Sequence, residues 1–291
     1  MTTQSSTVDR LALVSLLGGA AAIAFAPIFV RLSELGPSAT AFHRLFLALP
    51  FLWIWMARQP RSARPAGRRD YLALTAAGLF FAADLAVWHW SIKFTSVANS
   101  TLLANFAPVF VTFAAWTLFG HRPTRVFVAG MALALAGAIT LMGESMALDP
   151  EHLKGDALGM TTAAFYAGYI LSVSRLRARL PTVTIMAWSG LVTTLALLPV
   201  ALLSGESLIP PTPRAWAVLF GLAVVSQVAG QSLIAHALAH LPAGFGSVAL
   251  LLQPAVAAVL AWALLAEPLS LWQAAGGMVI LAGIWLARRG S

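Results

Sequence analysis

Ten apolar runs, each near the length needed to cross a lipid bilayer, occupy most of the chain. They are residues 11–31, 38–56, 70–92, 97–119, 124–143, 155–174, 182–203, 214–237, 243–266 and 270–287. The hydrocarbon core is about 30 Å thick and a helix rises about 1.5 Å per residue, so a spanning helix needs about 20 mainly apolar residues. Lipid offers no hydrogen bonds, so each run must satisfy its own backbone polar groups, and a helix does this within one segment. The expected fold is all-α and integral to the membrane, with ten transmembrane helices. Within 291 residues these runs leave no length for a separate soluble domain. Composition agrees: 59% of residues are hydrophobic, 10% are charged and mean hydropathy is +0.84. A soluble domain carries about 25% charge, enough to cover its surface. Several runs are punctuated by Pro or Gly, at Gly36-Pro37, Pro123, Pro181, Pro210 to Pro213 and Pro242. Ala24-Phe25-Ala26 mimics a signal-peptide cleavage site, but the first run has a counterpart in the second half and reads as a span.

The net charge of +8 would suggest nucleic acid in a soluble protein, yet the basic residues sit in short loops between apolar runs and orient them instead. Alternate connections receive Arg10; Arg58, Arg61, Arg64, Arg68 and Arg69; Arg122 and Arg125; Arg175, Arg177 and Arg179; and Arg288 and Arg289. The other connections receive only Arg31, Lys93, Lys154 and Arg214. Positive loops stay cytoplasmic, so both termini are expected inside, and the acidic loop with Glu144, Asp149, Glu151 and Asp156 outside. The absence of cysteine excludes disulfides, thiolate metal sites and cysteine nucleophiles.

The chain also repeats itself. A shift of 146 residues carries Pro108 onto Pro254, Trp116 onto Trp262, Thr124 onto Ser270, Gly130 onto Gly276 and Gly137 onto Gly283. A shift of 144 aligns Arg31 with Arg175, Pro37 with Pro181 and Thr40 with Thr184. Spaced Pro, Trp and Gly matches carry more weight than chance Leu and Ala coincidences. Two domains follow, 1–147 and 148–291, each of five helices. Five is odd, so the second half enters the membrane inverted. Inverted repeats of this kind place a substrate near the midplane between the halves.

Charges within the spans are costly and normally face a bundle interior or a cavity. Arg44 in the second run and Asp84 in the third lie at similar depth from the outer face and are expected to pair, directly or through water. The pair reads either as a lock between helices or as a gating or proton-coupling site. Asn105 lies at comparable depth, three residues before Pro108, and Pro254 follows Gln253 in the other half. Both prolines free a backbone carbonyl, and paired helix breaks read as packing kinks or as pointers to a site. Trp88 is one helical turn beyond Asp84, Tyr166 and Tyr169 are mid-span, Trp188 is in the seventh run, and Gln227 and Gln231 are four apart in the eighth. Aromatics with a few amides suit a flat, partly apolar small-molecule ligand, although buried interhelical hydrogen bonds explain the tyrosines and glutamines as well. Trp53, Trp55, Trp216 and Trp285 fit an interfacial belt. His43, His89, His236 and His240 form no metal-ligand spacing, so no metal or other cofactor is expected. Gly130, Ala134 and Ala138 have the small-xxx-small spacing of closely packed helices. There is no G-x-x-x-x-G-K-[ST], H-E-x-x-H or G-x-S-x-G motif, so the chain carries no P-loop motor and no common protease or esterase signature. Transport by this chain would be passive or driven by an ion gradient. A membrane enzyme would need a catalytic cluster that these residues do not assemble. A non-transporting scaffold would lack a wet interior.

The segment from Thr95-Ser96-Val97-Ala98-Asn99 through Ala107-Pro108-Val109-Phe110, Trp116, Gly130 and Gly137 resembles the EamA type of the drug/metabolite transporter superfamily. So does Leu252-Gln253-Pro254 through Trp262, Ala266-Glu267-Pro268-Leu269-Ser270, Gly276 and Gly283, while Phe42-His43-Arg44-Leu45-Phe46 looks like that family's second-helix Arg motif. The resemblance covers about the whole chain. One departure is Gly120-His121-Arg122, where the second half keeps Glu267. The resemblance implies an inverted repeat around a central cavity lined by helices one to four and six to nine, with helices five and ten as scaffold. It further implies export across the bacterial inner membrane, and the chain looks most like the aromatic amino-acid exporters of the YddG type. The expected activity is export of amino acids, aromatic or bulky apolar ones, by alternating access; a broad drug or metabolite exporter of the same fold is the rival. On this reading Asn105, Tyr166, Tyr169, Trp188, Gln227 and Gln231 contact substrate, Trp88 stacks on it, and Arg44 and Asp84 gate the outer half.

The charge tally makes a direct prediction. With no native cysteine as background, a single cysteine at Arg64 or Ser291 should be protected from a membrane-impermeant maleimide in intact cells. A cysteine at Thr212 should be labelled, and the opposite pattern would reverse the orientation.

Overall fold

The computed structural model describes residues 2–60, 64–95, 97–142, 153–265 and 269–291. It contains ten helices long and apolar enough to cross a membrane. They are α1 (Arg10–Leu32), α2 (Pro37–Ala57), α3 (Arg68–Ser91), α4 (Ser100–Phe119), α5 (Arg125–Met142), α6 (Leu153–Leu176), α7 (Thr182–Leu203), α8 (Pro213–Ala237), α9 (Ala243–Leu264) and α10 (Leu271–Arg289). Each coincides with one apolar run of the sequence, and no strand occurs among the described residues. Of the expected outer acidic loop, Glu144, Asp149 and Glu151 lie outside the described residues, as do Arg61 and Glu267.

Local chemistry sets the helix starts. Pro37 and Pro213 occupy first-turn positions, where a missing N–H costs nothing. The Thr212 hydroxyl accepts from Ala215 N at 3.0 Å and opens α8. Ser270 and Gln273 form a reciprocal capping box at the start of α10.

Helices pack in a pattern that survives exchange of each helix for the one five positions on. α5 packs on α10, α4 on α9 and α2 on α7, three pairs that map onto themselves. α3 against α6 maps onto α8 against α1, and α3 against α7 maps onto α8 against α2. The pattern is consistent with an inverted two-fold relation between the halves. The tightest seam, between α5 and α10, repeats it in detail. A Cβ on Gly130 would collide with the Ala287 backbone and meet the Gly283 carbonyl at 2.8 Å. A Cβ on Gly276 would strike the Leu141 nitrogen at 2.5 Å and the Gly137 carbonyl at 2.7 Å. The 146-residue shift turns the first contact, Gly130 with Gly283, into the second, Gly276 with Gly137. Without a hydrophobic force between helices in lipid, close backbone approach through small residues supplies the packing energy.

Five spans are interrupted. α1 breaks at Phe25, before Pro27, and α2 breaks at Leu47-Ala48, before Pro50. α4 breaks at Asn105-Phe106, before Pro108, and α9 at Leu250-Leu251, before Pro254. The missing proline N–H and the ring clash together end the preceding segment. In α8 the interruption differs, because Leu222–Gln231 is wound as a π-helix.

The seam yields a stability prediction. Gly283→Leu should force α5 and α10 apart and cost about 1–3 kcal/mol, the usual range for overpacking. It would appear as a lower unfolding temperature in detergent. Gly277→Ala, whose new methyl meets nothing nearer than 3.8 Å, should leave that temperature unchanged.

Candidate functional site

The interrupted helices enclose a cavity of about 420 Å³. Its walls come from α1, α2, α3, α4, α6, α8 and α9, with the last turn of α5 at the rim. Most wall residues lie in the half of each span remote from the termini, such as Val30 late in α1, Thr40 early in α2 and Trp88 late in α3. The cavity therefore opens towards the face opposite the termini. Much of the lining is apolar, including Ile23, Pro27, Leu85, Met142 and Ala257.

Into this apolar shell project a few polar groups. Arg44 and Asp84 both line the cavity and are buried, with 9% and 8% of their surface exposed. Arg44 lies seven residues from the rim end of α2 and Asp84 seven from that of α3, a depth of about 10 Å for each. Arg44 Nε donates to Gln227 Oε1 at 3.0 Å, and its guanidinium carbon lies 5.8 Å from the Phe81 ring centre. No Arg44 nitrogen comes within 4.0 Å of an Asp84 oxygen. Of the two forms of pairing expected, direct or through water, the direct one is thus absent among the described residues, because Gln227 draws the guanidinium towards α8.

The other expected residues divide into two sets. Trp88, Asn105, Tyr166, Gln231 and Pro254 line the cavity. Asn105 Nδ2 donates to the Thr101 carbonyl at 2.9 Å, securing the end of the first segment of α4. Tyr166 lies beside Gln231 and Gln253. Tyr169, Gln227, Trp188 and Pro108 are not in the cavity wall. Tyr169 is 4% exposed and stacks behind the wall on Phe81, with ring centres 4.5 Å apart, and on Tyr166 at 6.1 Å. Gln227 holds Arg44 from behind. Pro108 lines a separate void of about 20 Å³, shared with Asn105, Tyr166 and Gln253.

Trp188 lies towards the termini, edge-on to Trp53 at 5.2 Å and to Tyr71 at 5.1 Å. A substrate contact for Trp188 is therefore not what the structure shows, since α7 turns this face to α2 and α3. The same end carries an ion pair from Arg179 to Asp70 at 3.3 Å, and Arg177 donates to the Ala235 carbonyl at 3.2 Å. These contacts close the termini face. Burial pushes the Arg177 guanidinium below its ordinary value.

The sequence reading missed several wall residues. Thr162 Oγ1 and Gln253 Nε2 are buried without a hydrogen-bond partner among the described residues, and both belong to the wall. Gln253 was marked by its place before Pro254; Thr162 had no signal beyond its hydroxyl. The wall of α1 is wholly apolar and has no sequence signature. Gln227 and Gln231 would share a face of a regular α-helix, but the widened π-turn sends one to Arg44 and the other to the cavity. Such turns favour functional sites and have no periodic signature. His236 and His240 stand 5.5 Å apart, and no group of three metal-ligating side chains occurs among the described residues.

A ten-helix bundle around a cavity open on one face defines a multi-pass membrane transporter. The chain belongs to the EamA-like transporter family, whose model matches residues 10–143 and again residues 153–289. It is similar to a probable terminal-alkyne amino-acid exporter of Streptantibioticus cattleyicolor, 30% identical over 92% of this chain and 89% of that protein. It is also similar to an uncharacterized transporter of Archaeoglobus fulgidus, 27% identical over 89% of this chain and 91% of that one. A protein of known crystal structure shares the fold with a TM-score of 0.79 at 18% identity, covering 97% of both chains.

Single cysteines test the cavity. Ala104→Cys and Ala257→Cys should react with a water-soluble thiol reagent added on the face away from the termini. Ala187→Cys, at a position with no exposed surface, should not react.

Proposed function

We propose that the chain exports amino acids, aromatic or bulky apolar ones, across a bacterial inner membrane. The mechanism is alternating access between two inverted five-helix halves, 1–147 and 148–291. The observation that carries this reading is the cavity itself: about 420 Å³ between the halves, mostly apolar, with a small cluster of charges and amides on its walls. That volume falls within the range of small-molecule sites, about 300–1,000 Å³. A relative named a probable terminal-alkyne amino-acid exporter supports amino acids as the substrate class.

Under the positive-inside rule the termini are cytoplasmic and the open face is external. The structure then corresponds to a releasing state, with the cytoplasmic path closed by Trp53, Tyr71 and Trp188 and by the Arg179–Asp70 pair. Trp88 supplies a flat wall for a side chain, and Asn105, Tyr166 and Gln231 offer hydrogen bonds to its polar end. Tyr169 and Gln227 act from behind, by fixing Tyr166 and Arg44.

Proteoliposomes holding the purified protein should take up labelled Phe saturably, with competition by Trp and Leu. Trp88→Ala should raise KM for Phe about tenfold more than KM for Ala, the worth of one aromatic stacking contact. Saturable flux of cationic dyes, with none of amino acids, would establish the broad drug exporter instead.

A further inference from the structure

Two opposite charges buried at one depth would normally neutralise each other by contact, because each pays heavily for leaving water. Arg44 and Asp84 do not touch. Of the five guanidinium N–H donors, only the Nε proton has an acceptor among the described residues, Gln227 Oε1. The Nη side remains available to the cavity that Arg44 lines. The Asp84 carboxylate accepts no hydrogen bond from a described residue, and it too lines the cavity. The cavity wall thus holds a guanidinium and a carboxyl group at equal depth, not in contact with each other, within largely apolar surface.

We propose that Arg44 and Asp84 form a clamp for a zwitterion. The Nη face of Arg44 receives the α-carboxylate in a paired hydrogen bond, the geometry that suits a guanidinium fork. Asp84 receives the α-ammonium, whose charge lies one carbon away from the carboxylate. Gln227 is a positioning residue: by holding Nε it turns the two Nη groups towards the cavity. The side chain of the ligand then extends along Trp88 and the apolar wall of α1. This assignment rests on the amino-acid reading of the cavity and adds a selectivity to it. The clamp accepts free α-amino acids and rejects molecules carrying only one of the two charges, because one buried wall charge would then stay unpaired.

The test uses the full chain in proteoliposomes, with labelled Phe competed by unlabelled Phe, 2-phenylethylamine and 3-phenylpropionate. Both single-charge analogues should compete at least tenfold more weakly than Phe. Arg44→Gln should abolish the preference for Phe over 2-phenylethylamine and keep the preference over 3-phenylpropionate. Asp84→Asn should do the reverse. Gln227→Leu leaves both charges in place and guards against misfolding of the charge variants. It should weaken Phe and 3-phenylpropionate alike, with 2-phenylethylamine unaffected. Equal competition by all three compounds in the unmodified protein overturns the clamp while leaving amino-acid export intact. So does a discrimination that survives all three substitutions. Absence of any saturable Phe, Leu or Ala flux, beside flux of another metabolite, overturns the export reading itself.

Discussion

Hydrocarbon accepts no unpaired backbone group, and the rest of this structure depends on that constraint. A helix break exposes carbonyls and amides that lipid cannot satisfy. The five interrupted spans, α1, α2, α4, α8 and α9, all contribute to the cavity wall. The α5–α10 pair, which contributes only the last turn of α5 to the rim, is continuous. Irregular backbone is thus confined to where protein or water in the cavity can complete its hydrogen bonds. The glycine-lined seam of α5 and α10 provides a stiff pair against which the broken helices are arranged.

The breaks are unevenly distributed between the halves. Those of α4 and α9 correspond under the repeat, with Pro108 matched to Pro254. The breaks in α1 and α2 have no partner in α6 and α7, and the π-turn of α8 has none in α3. The two halves carry related sequences in different local conformations. That asymmetry accompanies a cavity open on one face and closed by aromatic and ionic contacts on the other.

The membrane architecture was legible in the sequence because apolar length and loop charge are one-dimensional quantities. The spaced Pro, Gly and Trp matches were legible as well, since those residues carry backbone or packing constraints. The site was legible only where cost marks a residue: Arg44 and Asp84 stand out because a charge in a span is expensive. Their separation was not, because it depends on Gln227, a residue 183 positions away in the chain, brought round by a π-turn. Trp188 shows the opposite limit. A tryptophan within a span has one composition signature whether it lines a cavity or plugs the other end, and only packing against Trp53 and Tyr71 distinguishes them. The apolar wall of α1 was invisible because cavity-lining and lipid-facing apolar residues look the same in sequence.

The separation of Arg44 and Asp84 has an electrical consequence. A single elementary charge moved through the membrane potential exchanges about 2.3 kcal/mol per 100 mV. With Arg44 and Asp84 both ionised the cavity's charges would sum to zero, and an occupant that is itself a zwitterion would leave the sum unchanged. Empty and loaded forms would then feel the same voltage, so the potential would push neither way on the alternating access proposed above. The direction of net movement would be set by concentrations on the two sides, or by an ion carried in addition.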